Sequence, residues 1–191
     1  MIFLLTGKAG SGKDTIGEHL KEKYNFKSES FAAPIKRLVK DIFVLPDEMV
    51  YGRDAREKDL GPPWEGLTVR NLLQKIGTEM FRNMLNKDVL SLSLWLRISN
   101  DLNSDWVITD LRFPNERSVI EGMSPVKVVT IKVVRPGANG QTAGGINGHE
   151  SESHDVSADH VIINDKDVRS LLLLTDEIMH GYGIISERET V

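Results

Sequence analysis

The chain has 191 residues, 40% of them hydrophobic and 27% charged, which suits one soluble globular domain with a full core. It contains no cysteine, which excludes a disulfide framework and a thiolate metal site and fits a reducing cytoplasm, and its formal net charge of −4 argues against nucleic acid as a partner for the surface as a whole. A small anionic ligand needs only a local positive pocket.

The first element is the apolar run Met1-Ile2-Phe3-Leu4-Leu5. It is too short to span a membrane, has no basic leader and runs straight into glycines, so it reads as a buried strand and not as a signal peptide. Gly7-Lys8-Ala9-Gly10-Ser11-Gly12-Lys13-Asp14-Thr15 follows and opens the helical pattern Ile16, Leu20, Tyr24. Glycines at 7, 10 and 12 permit backbone turns closed to other residues, so the N–H groups of Lys8 through Thr15 and a helix N-terminus converge on a phosphate chain. Lys13 adds a point charge for the terminal phosphates. The usual GxxxxGK[ST] pattern has a Mg²⁺-binding hydroxyl where this chain has Asp14, and a hydroxyl comes only at Thr15. A carboxylate beside a triphosphate makes sense if Asp14 holds Mg²⁺, directly or through water.

Downstream, a weak strand signal lies near Phe26 to Phe31, then a helical pattern runs from Ile35 through Val39 and Ile42. Asp47 to Leu67 is a basic, aromatic insertion holding Arg53, Arg56, Lys58 and Trp64; Trp64 is a candidate base-stacking surface or an anchor of the loop to the core. Val69, Leu72, Leu73, Ile76, Met80 and Met84 follow the helix period, with Thr68 placed to cap them. In this helix, predicted over 68–85, Gln74, Thr78 and Arg82 fall on one stripe that could read a ligand or face solvent. Gly77 within it suggests that something approaches the backbone closely.

The run Trp106-Val107-Ile108-Thr109 predicts a strand, and Asp110 then stands at its C-terminal edge, where open α/β sheets bind ligands. Asp110 could steady Mg²⁺, cap the helix starting at Pro114, or pair with Arg112. Val126 to Val134 and His160 to Ile163 predict two more strands, and Leu171, Leu172, Leu174 and Ile178 a closing helix. Between them, 136–154 is Gly-rich and resembles a lid that closes over a ligand. It ends in His149-Glu150-Ser151-Glu152-Ser153-His154, read as a hinge or substrate contact and not as a metal site. No Lys or Arg occurs between Gly137 and Asp165, so this loop cannot supply an arginine to a transferring phosphoryl group, leaving Arg82, Arg112, Arg117 and Arg135 as candidates. Strands alternating with helices predict an α/β fold, a three-layer parallel sheet of about five strands covered on both faces, as one domain over 1–191.

The chain resembles the deoxynucleoside monophosphate kinases of bacteriophages, within the nucleoside-monophosphate-kinase-like branch of phosphate-loop proteins. The resemblance is carried by the glycine-rich loop with its Gly-Lys-Asp-Thr ending; by Ser30-Phe31-Ala32-Ala33-Pro34-Ile35-Lys36; by Leu73-Gln74-Lys75-Ile76-Gly77-Thr78-Glu79 with Arg82; by Ile108-Thr109-Asp110-Leu111-Arg112-Phe113-Pro114-Asn115-Glu116; and by His149-Glu150-Ser151-Glu152. It implies transfer of the ATP γ-phosphoryl to a 2′-deoxynucleoside 5′-monophosphate with Mg²⁺ as cofactor. It also implies catalytic roles for Lys13, Asp14, Arg82 and Arg112, and metal roles for Asp14 and Asp110. Substrate contacts are expected from Lys36, Arg53, Trp64, Gln74, Thr78, Arg82, Asp110, Arg112, His149 and Glu152. The partners expected are these nucleotides, with neither nucleic acid nor membrane and with a homodimer left open, in the cytoplasm, that of a host if the chain is phage-encoded. The arginines that adenylate-kinase-like relatives carry in their lids are missing. Rival readings are a kinase of the same fold acting on dephospho-coenzyme A or phosphomevalonate, and a nucleotide-dependent switch or ATPase with water as acceptor.

Overall fold

A computed structural model describes residues 1–52, 54–137 and 155–186. Its centre is a five-stranded, all-parallel sheet in the order β2-β3-β1-β4-β5, built from β1 (Ile2–Thr6), β2 (Lys27–Glu29), β3 (Trp106–Leu111), β4 (Val128–Val134) and β5 (His160–Ile163). Ile2 pairs with Trp106 on one side and Val128 on the other, so β1 is the middle strand. Side chains alternate across a strand, and β1 is buried on both faces. Phe3 and Leu5 pack under α1 (Lys13–Tyr24) and α7 (Val168–Gly181), with Ile16, Leu20, Leu171 and Met179. Ile2 and Leu4 pack on the opposite face with Leu94 and Ile98 of α5 (Val89–Ile98) and Ile120 of α6 (Pro114–Met123). Burial of β1 on both faces accounts for its unbroken apolar sequence. The sheet and its two helical layers are those expected from the sequence.

A third apolar cluster lies under the insertion and joins α2 (Ala33–Phe43), α3 (Asp47–Tyr51) and α4 (Val69–Gln74) through Ile35, Val39, Val50, Val69, Leu72 and Ile76. The Asp59 carboxylate accepts from the amides of Gly61 and Gly66, both at 2.7 Å, and Leu60 N–H donates to Leu67 O at 2.8 Å, so the insertion folds back on itself. Trp64 packs edge-on against Phe43, with ring centroids 4.9 Å apart.

Thr68 caps α4 as expected, its Oγ1 accepting from Asn71 N–H at 3.1 Å. Beyond Gln74, however, the helix is wound with i→i+5 hydrogen bonds over Lys75–Leu85. This wider winding turns each residue through a smaller angle, so an apolar stripe spaced for 3.6 residues per turn drifts off the core. Ile76 is buried, but Met80 is 52% and Met84 78% exposed, which corrects the expectation that both continue the buried face. Gly77 packs against α2, where an added Cβ would lie 2.9 Å from Ile35 Cδ1; the close approach inferred there is made by Ile35. The α5 helix was not foreseen. Among the described residues no helix is long and apolar enough to cross a membrane.

Candidate active site

The turns after β1, β3, β4 and β5 all leave the sheet at its carboxyl edge, two of them on the strands flanking β1. The glycine-rich loop rises from β1 and enters α1 at Lys13. Gly7, Gly10 and Gly12 all take positive φ, at 147°, 78° and 109°. Gly12 has a second constraint, since an added Cβ would lie 2.7 Å from Asn164 Nδ2 and 2.9 Å from Leu171 Cδ2. Asn164, just after β5, donates from Nδ2 to Ser11 O at 2.8 Å and from its backbone to Val134 O at 2.7 Å, tying the loop to the carboxyl ends of β4 and β5. Lys13 Nζ donates to Lys8 O at 3.3 Å, Ser11 is buried, and Lys8, Asp14 and Thr15 are exposed around the loop. A groove beside it is lined by Gly10, Asp14, Arg135, Asn164, Lys166 and Val168. Neither Asn164 nor Lys166 was singled out from the sequence, although the turn-forming Asn164-Asp165-Lys166-Asp167 follows a predicted strand at this sheet edge.

Asp110, the penultimate residue of β3, stands on the strand beside the loop, and its two carboxylate oxygens accept from Phe31 N–H at 2.9 Å and Ala32 N–H at 3.0 Å. It therefore holds the start of α2, where a negative charge also suits the helix dipole. Asp110 thus braces the segment leading into α2, and the helix at Pro114, which the sequence left it open to cap, is capped instead by Glu116. Lys36, one turn into α2, is half-buried with Nζ over the Tyr51 ring, 5.7 Å from its centroid. Burial pushes the Lys36 ammonium below its ordinary range, Asp110 and Asp14 push back, and Arg56 and Arg112 lower it further. Arg56, on the single 3₁₀ turn Ala55–Glu57, is likewise pushed down by burial and by Arg70 and Arg112, against Asp14 and Glu57. Three chain segments thus bring cations toward the loop that carries Asp14. Arg56 was legible only as part of a basic stretch, and Arg70 of α4 not at all. Arg70 forms an ion pair with Glu57.

Arg82 turns toward α6. It donates to Asn115 Oδ1 at 2.5 Å and to Lys87 O at 3.2 Å, and its guanidinium lies over the Phe113 ring. Glu116, fully buried, accepts from Arg112 N–H at 2.9 Å and Phe113 N–H at 3.1 Å, which fixes the backbone from which the exposed Arg112 projects. Burial pushes the Glu116 carboxyl up to about 7 against these two donors, with Asp110 adding to the rise and Arg82 opposing it. Gln74 and Thr78 are buried, so their stripe is not a solvated face. Trp64 is anchored to Phe43. Arg53, His149 and Glu152, with most of 136–154, lie outside the described residues.

Among the described residues no three carboxylates or imidazoles cluster as a protein cage for a metal. Magnesium bound together with nucleotide phosphates takes only one or two carboxylates and keeps several waters, and the exposed Asp14 beside Lys13, with Asp110 on the neighbouring strand, fits that requirement.

A glycine-rich loop between the central strand and its helix, a lysine at the helix start and a sheet of this order define a phosphate-loop nucleotide-binding fold. Over 148 residues the chain is 34% identical to a protein of Acanthamoeba polyphaga mimivirus described as a "putative deoxynucleotide monophosphate kinase", covering 72% of this chain and 75% of that one. The chain belongs to the same family of phosphate-loop kinases. The fold is shared with the APS kinase CysC of Mycobacterium tuberculosis, solved with AMPPNP and APS, at a TM-score of 0.53 and 11% identity over 94% of this chain and 96% of that one. A sugar kinase from Janibacter sp. HTCC2649 overlaps at a TM-score of 0.49 and 15% identity, covering 96% of this chain and 95% of the other. No protein-family model matches the chain.

Proposed function

We propose that this chain, as one kinase domain, transfers the γ-phosphoryl group of ATP to a 2′-deoxynucleoside 5′-monophosphate, yielding ADP and the deoxynucleoside diphosphate. The observation that supports the reading is that two sets of residues suited to binding phosphate lie at one sheet edge. Lys13 and the glycine-rich loop stand on one side; Lys36 and Arg56 come from other segments within electrostatic reach of Asp14, and Arg112 lies within reach of both. The name of the mimivirus relative supports a deoxynucleotide acceptor.

An oxygen of the acceptor's phosphate forms a bond to the γ-phosphorus as the bond from that phosphorus to the β–γ bridging oxygen breaks, and the electron pair leaves with ADP. The acceptor phosphate is already anionic, so no strong general base is needed. The protein holds two anions in line and neutralises the charge between them. Loop amides and Lys13 bind the donor phosphates, and the groove bordered by Arg135, Lys166 and Val168 is the place for the donor's base. Asp14 and Asp110 would hold magnesium, directly or through water, and it would supply charge neutralisation to the donor's phosphates. Arg112, on its braced turn, supplies positive charge from the β3 side.

The test is ADP formation across a panel of acceptors: the four common deoxynucleoside monophosphates, their ribonucleotide counterparts, dephospho-coenzyme A, phosphomevalonate, and water alone. Turnover that requires a deoxynucleoside monophosphate supports the reading. Equal turnover without any acceptor, or turnover only with one of the non-nucleotide acceptors, overturns it.

A further inference from the structure

We propose that Arg56 and Lys36 form the clamp for the acceptor's phosphate, and that this clamp restricts the enzyme to acceptors already carrying a phosphate monoester; the proposal rests on the kinase reading above. Arg56 Nε is buried with no hydrogen-bond partner among the described residues. The neighbouring carboxylate, Glu57, is bound by Arg70 of α4 through Oε1; its Oε2 is also buried without a hydrogen-bond partner among the described residues and makes no ion pair with Arg56. Lys36 Nζ lies over the face of Tyr51 and makes no ion pair among the described residues. The two remaining carboxylates acting on this pair are Asp110, whose oxygens accept from Phe31 and Ala32, and Asp14, which stands on the phosphate loop. Among the described residues, none of the three carboxylates Glu57, Asp14 and Asp110 reaches Lys36 or Arg56 as an ion pair.

Removing a cation from water without a partner is costly, and folded proteins hold such groups where a ligand completes them. Burial lowers the pKa of both groups for the same reason. A phosphate monoester brings about −1.5 to −2 charges and three strong acceptor oxygens at neutral pH, which matches a guanidinium fork beside an ammonium. A nucleoside or sugar hydroxyl would leave both cations uncompensated, so such acceptors are rejected. The clamp is also well placed for transfer. The amides at the start of α2 are fixed to Asp110 on β3, so Lys36 is held in register with the strand next to the phosphate loop. Arg82, whose bonds run to Asn115 and Lys87, acts as a positioning residue for the start of α6.

The experiment uses the full chain with Arg56→Gln, Arg56→Lys and Lys36→Gln. At saturating ATP, Arg56→Gln and Lys36→Gln should each lower kcat/KM for a deoxynucleoside monophosphate by about 10- to 100-fold, mainly through KM, as expected for a lost charge-assisted contact. Arg56→Lys keeps the charge but not the fork and should fall between them and the wild type. Affinity for ATP alone should not change. A ligand-free Arg56→Gln protein should melt at the same temperature as wild type or higher, because a half-buried charge without an ion-pair partner is removed; a structural ion pair would give the reverse. The rise in melting temperature that deoxynucleoside monophosphate or inorganic phosphate gives the wild type should be lost in both glutamine variants. If wild type phosphorylates no deoxynucleotide, the kinase reading falls, and the phosphate-induced rise still decides the clamp. Unchanged kcat/KM, an unchanged ligand-induced rise, or a drop in the melting temperature of ligand-free Arg56→Gln overturns the clamp.

Discussion

The guanidinium of Arg82 lies flat over the ring of Phe113, its Cζ 3.6 Å from the ring centroid, while its nitrogens reach Asn115 and Lys87 O. One residue thereby joins the π-wound end of the long helix to the first turn of α6, and Glu116 in that turn holds the backbone of Arg112. Arg82→Ala should cost about 1–3 kcal/mol of stability, from a partly desolvated cation–π contact and two hydrogen bonds. It should also lower kcat for the acceptor reaction while leaving ATP affinity unchanged. Arg82→Lys should recover little of either, since an ammonium cannot stack as a plane. Urea denaturation alongside steady-state kinetics checks this, and a kinetic loss without any loss of stability would show that Arg82 contacts the acceptor and does not act through Phe113.

The tether between Asn164 and the phosphate loop makes a second prediction. Asn164 Nδ2 reaches Ser11 O at 2.8 Å in a buried setting, so Asn164→Ala leaves that carbonyl without its donor, a loss of about 1–3 kcal/mol. The loop that it steadies binds the donor nucleotide. Affinity for ATP should therefore fall, and the KM for the acceptor should hold. Isothermal titration with a non-hydrolysable ATP analogue checks the first, and an equal loss for both nucleotides would contradict the assignment of Asn164 to the donor side.

The parts of the molecule legible in its sequence are those governed by local pattern. Unbroken apolar runs identified the central strands, since a parallel strand buried on both faces needs no alternation, and glycines followed by Lys13 identified the phosphate loop. What stayed hidden depends on contacts between distant segments. The π winding after Gln74 leaves no simple periodic mark, so Met80 and Met84 looked like core residues. Arg56 looked like one charge among several in a polar insertion. Only the fold shows that Glu57 is taken by Arg70 and that Arg56 points inward with Lys36. Asp110 was legible as a strand-end carboxylate, but not its bonds to Phe31 and Ala32, because those depend on β2 and β3 being neighbours.

Asp14 and Asp110 should differ in how their loss is felt. Asp14 is exposed in the first turn of α1, so Asp14→Asn should leave stability unchanged and raise the Mg²⁺ concentration needed for half-maximal rate. Asp110 bonds two backbone amides, so Asp110→Asn, which keeps one acceptor oxygen and turns the other into a donor, should lose about 1–3 kcal/mol of stability and shift the Mg²⁺ dependence in the same direction. Magnesium titrations of both variants at saturating ATP, with thermal melts, check the pair. Wild-type magnesium dependence in both would remove the shared metal role.

Glu116 gives the fold a defined response to pH. Its carboxyl is buried beneath the first turn of α6, accepts from the amides of Arg112 and Phe113, and is faced by Asp110 and Arg82; its pKa is raised from 4.5 to about 7, with burial the largest cause. Between those values the unfolded chain has given up the proton and the folded chain retains it. The native state therefore binds more protons in that window, and stability falls as pH rises from 4.5 to about 7, then levels off. A shift of this size corresponds to about 3 kcal/mol. Glu116→Gln keeps a carbonyl oxygen for the two amides and removes the titrating group, so it should flatten this slope and exceed wild type in stability above pH 7. Urea midpoints at pH 5, 6, 7 and 8 for both proteins provide the measurement: parallel pH profiles would mean that Glu116 ionises in the folded protein as it does in the unfolded chain.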